Sequence, residues 1–359
     1  MRAVSESAAD RLNLINMMNR KFVIIAAIGA LILAVIGGLL VWAMKVKNQT
    51  KPPIAAAPQI KKIGNDRVVS PIPAINNGGI WYFNAEGRLF RINLDGEGLT
   101  EYPLPLLSGT IRKILWPQAG EDFIAISSGS TGEIKDYYNS QKKVYTTLPA
   151  NIKSLDWMPD SRRIVYIWQS ADNQHQQLAM ANGDGTGFVI IKDVFWPDLQ
   201  IKVSPDGKTA LLYRSIVDGN VNKIYSVNLE TGEILTVIDS GKNLEAIWIS
   251  ANRFLFSQSA ITAYPRVYLF DMISKQATDL DLNTSLDKIV VDKEGKTVYA
   301  AIPKKDGGGD DFLTEDLLTF RQNDFFSSDQ QIFAKNLMLI GSSLFFINTG
   351  DGNLHVVSK

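Results

Sequence analysis

An apolar strand, a tight polar turn and a second apolar strand recur seven times between about residue 70 and the end of this 359-residue chain. Trp116, Trp157, Val203, Ile249 and Val291 hold the same phase of the repeat, and Ile75 and Leu339 fit it more loosely. The intervals are roughly 41, 41, 46, 46, 42 and 48 residues, and a strand-built period in the forties is the signature of a β-propeller.

The repeat around Val203 shows the unit most clearly. Ile201 and Val203 alternate on an inner strand, and Ser204-Pro205-Asp206-Gly207-Lys208 turns the chain. Pro presets φ, Asp tolerates the bend and Gly accepts a positive φ. Residues 210–213, 224–229 and 234–238 read as three further strands, the last two joined by Glu230-Thr231-Gly232-Glu233. Four strands in about 46 residues make one blade. The preceding repeat runs Leu155, Trp157, Pro159-Asp160-Ser161-Arg162 and residues 164–168, with an outer turn at residues 182–187. Similar turns stand at Leu94-Asp95-Gly96-Glu97-Gly98 and Lys293-Glu294-Gly295-Lys296. These residues resemble the TolB-like, WD40-like propeller repeat, whose hallmark is Ser-Pro-Asp-Gly-Lys after the first strand and an Asp-Gly-rich turn between the third and fourth. One repeat carries the full hallmark and a second carries Pro-Asp. The resemblance covers roughly residues 66–359. It implies a recognition platform, because these turns shape blades and do not catalyse.

The last repeat offers strands at 337–340, 344–347 and 354–357 and no fourth. A ring left open there would expose a sheet edge. The segment at 60–63, or that at 68–69, is placed to supply the missing outer strand. The expected fold is therefore all-β, a seven-bladed propeller over residues 63–359 closed by pairing its two ends. Six blades is the alternative, since the first and last repeats are the weakest.

The region before the repeats has a different character. Residues 22–44 carry no charge and no strongly polar side chain. At about 1.5 Å per residue they would span roughly 34 Å, enough for a hydrocarbon core of about 30 Å. Arg20, Lys21, Lys45 and Lys47 bracket the run, and Trp42 sits at the interfacial position. A cleaved signal peptide is the rival reading. Its apolar region should be about 7–15 residues with small residues close behind, and Ala55 and Ala57 lie too far beyond the run. We expect residues 1–21 to be a short cytoplasmic stub, 22–44 a single transmembrane helix, and 45–62 a linker with three prolines and five lysines. Basic residues flank both ends, so charge bias does not orient the helix. A short stub before an anchor and a large globule after it is the layout of an exported, tethered domain. Ala30, Ala34 and Gly38 form a small-residue stripe through which two such helices could pack into an oligomer.

Composition narrows the function classes. There is no cysteine, which removes disulfides, thiolate metal sites and thiol nucleophiles. The formal net charge is zero, but residues 1–62 hold nine basic and two acidic residues, and the remainder holds 28 basic and 35 acidic. A mildly acidic globule argues against a nucleic-acid partner.

The search for chemistry yields little. Trp116 and Trp157 share a structural phase and read as core between blades. Two histidines, His175 and His355, are the only candidates for a serine triad, and no Gly-x-Ser-x-Gly elbow accompanies them. The loop Asp306-Gly307-Gly308-Gly309-Asp310-Asp311 is the best metal candidate, with Asp306, Asp310 and Asp311 as calcium ligands, although its spacing fits no defined loop. Residues 127–143 read as an insertion bearing Tyr137 and Tyr138, and Ala263-Tyr264-Pro265 is similar. Exposed tyrosines are good recognition groups, so Tyr137, Tyr138 and Tyr264 are the expected contact residues. No cofactor is expected. The expected function is a membrane-tethered, extracytoplasmic platform for an envelope protein, peptide or glycan. The alternative is a metal-assisted hydrolase or lyase with its site in the central channel.

Overall fold

The computed structural model describes residues 59–358, apart from 77, 106, 108, 131, 215–219 and 260–263, together with residues 29, 35–39 and 41–42. The chain divides into two units, Met1–Ala57 and Pro58–Lys359. In the first unit the described residues are helical and exposed. Most of the expected membrane span at 22–44, all of 1–21 and most of the linker lie outside the described residues. Among the described residues no helix is long and apolar enough to cross a membrane.

The second unit opens with β1 (Gln59–Ile63). Blade 1 follows as β2 (Val68–Pro73), β3 (Ile80–Asn84), β4 (Leu89–Ile92) and β5 (Thr100–Tyr102). Blade 2 is β6 (Thr110–Leu115), β7 (Phe123–Gly129), β8 (Gly132–Asn139) and β9 (Val144–Thr147). Blade 3 is β10 (Ile152–Trp157), β11 (Arg163–Gln169), β12 (Gln176–Asn182) and β13 (Val189–Val194). Blade 4 is β14 (Leu199–Val203), β15 (Thr209–Arg214), β16 (Asn222–Asn228) and β17 (Ile234–Gly241). Blade 5 is β18 (Glu245–Ser250), β19 (Arg253–Gln258), β20 (Arg266–Asp271) and β21 (Gln276–Asn283). A single 3-10 turn, Leu286–Lys288, leads into blade 6, which is β22 (Ile289–Val291), β23 (Thr297–Pro303), β24 (Asp310–Asp316) and β25 (Arg321–Phe326). Blade 7 is β26 (Ala334–Ile340), β27 (Ser343–Asn348) and β28 (Asn353–Ser358), with β1 as its fourth strand.

Seven four-stranded sheets settle the blade count in favour of seven. Closure falls where the sequence places it. Gln59 pairs with Ser358, Ile60 with Val357 and Ile63 with Leu354, in antiparallel register. Val68 and Val69 belong to the inner strand of blade 1 instead. One boundary moves: residues 59–62, expected to be linker, are already strand.

Packing explains why the second strand of a blade loses the period-two alternation of a half-buried strand. Each blade is covered on both faces by its neighbours, so both sets of side chains are buried. In β11, Ile164 and Tyr166 join the cluster shared with blade 2, while Val165 and Ile167 join the cluster shared with blade 4. Seven such clusters fill the seven inter-blade gaps. Each fully buried Leu, Ile or Phe contributes roughly 1.5–3 kcal/mol by leaving water.

Polar staples join the inner strands across the same gaps. Trp116 donates its indole N–H to the Ser70 carbonyl at 2.8 Å, Trp157 to that of Leu115 at 2.9 Å, and Trp248 to that of Lys202 at 2.9 Å. The tryptophans are thus interior residues tying one blade to the next. Asp156 accepts the Val203 N–H at 2.9 Å, and Ser154 accepts that of Ile201 at 3.1 Å. The turn chemistry also holds: Gly207 sits at φ +70°, with Met158 Cε and Pro159 Cδ each 3.1 Å from where a Cβ would stand.

Candidate functional site

Tyr137 and Tyr138 are not on an exposed loop. They lie in β8, third strand of blade 2, and are 8% and 6% exposed. As consecutive strand residues they point to opposite faces. Tyr137 meets Trp157 with ring centroids 6.3 Å apart, and Tyr138 stacks on Phe123 at 4.9 Å. The Tyr137 hydroxyl donates to Asp122 at 2.5 Å, and burial, more than that carboxylate, pushes the phenol up. The loop exposure expected of these two is therefore replaced by burial in a strand. Their segment reads as polar, but Phe123 pairs with Tyr138 across a hairpin that buries both. Tyr264 is 42% exposed, beside residues 260–263, and remains apart from the other two.

The acid-rich loop is also dispersed. Asp310 is 1% exposed, and both of its carboxylate oxygens accept from the Lys288 ammonium at 2.8 Å. It also accepts the Ala334 N–H of blade 7 at 2.6 Å. Asp311 accepts from Ser327 at 2.7 Å and stands 3.5 Å from Lys304. Asp306 accepts the Gly308 N–H of its own turn at 2.8 Å. The three carboxylates serve three separate structural tasks, and among the described residues no group of three or more acidic or histidine side chains converges to hold a metal. His175 stands exposed in the turn between β11 and β12. His355 is on β28, its Nε2 3.0 Å from Asp351 and its ring stacked on Phe346. Neither histidine lines the central cavity.

The arrangement with chemical potential is in the central channel. Parts of blades 2 to 5 and the 3-10 turn enclose a cavity of about 470 Å³. Five cations line it, Arg112, Lys113, Lys135, Lys153 and Lys202, against three acids, Glu133, Glu245 and Asp287. Alternation on β14 explains part of this: Ile201 and Val203 turn into the inter-blade core while Gln200 and Lys202 face the channel. Bulges explain another part. Register shifts in β6 between Ile111 and Lys113, and in β10 between Ile152 and Ser154, free Arg112 and Lys153 from the ladder. A bulge re-aims a side chain in this way.

Some of these charges are satisfied locally. Lys135 pairs with Glu133 at 2.5 Å, Arg112 donates to Ser128, and Lys153 donates to the Ala150 carbonyl at 3.3 Å. Lys113 and Lys202 have no ion-pair or hydrogen-bond partner for their ammonium groups among the described residues. Water reaches Lys113 along the channel, yet protein walls it on most sides. That burial first, and the Lys202 ammonium second, hold Lys113 below the ordinary lysine range, against the pull of Asp156, Glu245 and Glu133. Across the channel, burial and then Asp287 hold Glu245 above the usual carboxylate range, while Lys113 and Lys202 oppose the shift. Sequence reading missed this set because its members lie about 40 residues apart on different repeats. The only available signal was a basic residue recurring near the inner-strand phase.

Fold and channel together define a closed seven-bladed β-propeller with a charged axial cavity. Solved structures similar to the chain include an oligogalacturonate lyase from Vibrio parahaemolyticus, with a TM-score of 0.59 and 10% identity over 84% of this chain and 91% of that one. A second is an oligogalacturonate lyase in complex with manganese, with a TM-score of 0.58 and 9% identity over 83% and 90% of the two chains. TolB from Acinetobacter baumannii matches with a TM-score of 0.43 and 15% identity over 84% and 79%. The likeness to the lyases is one of fold. No family model matches the chain, and no curated protein matches it in sequence.

Proposed function

We propose that this protein is a membrane-tethered, extracytoplasmic propeller that recognises a protein partner of the cell envelope, with the central channel as the recognition site. The observation that carries the reading is the channel wall, where several blades aim charged side chains into one cavity of about 470 Å³. A concave, largely pre-formed site with convergent polar groups is where folded proteins take ligands. Perturbed titratable groups mark such sites as functional. The tether rests on the uncharged run at 22–44 and its basic flanks.

The test is cross-linked capture from source membranes, using the full chain and a Lys113→Gln/Lys202→Gln variant. We expect a stoichiometric partner with the native protein and at least tenfold less with the variant, each lysine contributing about 1.5–3 kcal/mol if it bonds a charged group. Undiminished capture would move recognition to the outer rim. A second reading is favoured by one observation: a depressed Lys113 and an elevated Glu245 share one cavity, the kind of divergence that acid–base catalysis uses. Under it, the same variant would abolish turnover in an elimination or hydrolysis assay without weakening partner capture.

A further inference from the structure

The cations of the channel are not spread evenly. Blades 2, 3 and 4 contribute Arg112, Lys113, Lys153 and Lys202, whereas blade 5 and the 3-10 turn after it contribute Glu245 and Asp287. The cavity is therefore polar across its width, with a cationic arc facing an acidic wall. The arc is the more exceptional feature, because residues 63–359 as a whole hold 28 basic and 35 acidic residues. A basic cavity inside an acidic globule concentrates field on the cavity. Lys113 and Lys202 repel each other, and among the described residues neither has a counter-charge in hydrogen-bond contact. A bound anion between them removes that repulsion and supplies the missing acceptors.

The rest of the lining says what kind of anion. Leu115, Ile126, Leu155, Ile247 and Leu286 give apolar surface beside the charges. Among the described residues Tyr213 is the one aromatic side chain lining the cavity, and it packs into the core between blades 4 and 5 with its hydroxyl on the Ala246 carbonyl, so it is not a free stacking platform for a sugar. We infer that the channel binds an acidic peptide segment, in which side-chain carboxylates seat on the Lys113–Lys202 arc and neighbouring apolar side chains on the aliphatic lining. Glu245 and Asp287 repel those carboxylates and so fix which way round the segment lies. The inference rests on the channel being the recognition site and adds the chemical class of what enters it.

The experiment is calorimetric titration of the full chain with four probes. These are an acetylated, amidated hexapeptide alternating glutamate and leucine, its glutamine–leucine and lysine–leucine counterparts, and trigalacturonate. The expected result is binding of the glutamate peptide only, with a Kd that rises tenfold or more in Lys113→Gln and again in Lys202→Gln. Lys153→Gln should change it less, and the melting temperature of each variant confirms folding. Tighter binding of the lysine peptide would overturn the sign of the site, and tighter binding of trigalacturonate would overturn the peptide class. Binding of the glutamate peptide untouched by both lysine changes would overturn its seat on the arc. No binding by any probe at millimolar concentration would overturn the inference as a whole. The capture experiment with the double variant separates that failure from failure of the channel reading itself.

Discussion

Glu315 shows how one buried group can tie the stability of the ring to pH. It lies on β24, 1% exposed, with the Gln322 amide donating to it at 3.5 Å and to the Leu280 carbonyl at 3.0 Å. Burial is the main cause that lifts its carboxyl to about 7; Asp281 and Asp279 add to the shift and Gln322 opposes it. A carboxyl raised on folding binds its proton more tightly in the folded chain than in the unfolded one. Its relative stabilisation is complete below the unfolded value near 4.5 and is lost as pH rises to about 7. Glu315→Gln keeps the shape and removes the ionisation. We expect it to raise stability at pH 8 by on the order of 2 kcal/mol, a few degrees in Tm, and to change little at pH 5. An equal gain at both pH values in paired thermal melts would assign the effect to packing. Asp310 gives the contrasting lesson about legibility. Its sequence neighbours make a glycine-rich acidic loop, which reads as a cation site, yet its partners are Lys288 and Ala334, more than twenty residues away on either side. Nothing local distinguishes a carboxylate waiting for calcium from one already paired across a blade junction.

The decisive element is β1. It adds an outer strand to blade 7, and Ile63 packs into the cluster between blades 7 and 1. Without it β28 becomes a bare edge, a template for pairing with another chain. Deleting residues 59–63 is expected to cost at least about 2–5 kcal/mol, the usual loss for one buried Ile. Tm should fall by roughly 5–15 °C. Differential scanning calorimetry with light scattering checks both the loss and the self-association. A variant with the melt and the association state of the native chain would remove β1 from any role in closure. This element was readable in advance because strand counting leaves the last repeat one short. The hairpin of β7 and β8 was not. Residues 132–139 are polar enough to pass for a loop, and only pairing with β7 shows that Tyr137 and Tyr138 face two different inter-blade cores.

At the scale of the whole molecule, the two units carry opposite charge. Residues 1–62 are strongly basic and contain the uncharged run, and the remainder is acidic. We expect the full chain to sediment with membranes and a chain starting at residue 58 to remain in the supernatant while keeping its propeller melt. Retention of the shorter chain on membranes would place the attachment on the propeller. The sequence by itself determined the repeat period, the four-strand unit with its glycine turns and the pairing of the two ends, because hydrophobic period and turn chemistry are local properties, whereas the choice of seven blades over six came from the seven four-stranded sheets. Only the tertiary structure decided which charges meet. Lys113, Lys202 and Glu245 come from three repeats and become neighbours once the ring closes, and two bulges invisible to composition aim Arg112 and Lys153 beside them. Electrostatic coupling depends on distance through space, and in a closed ring that distance bears no relation to separation along the chain.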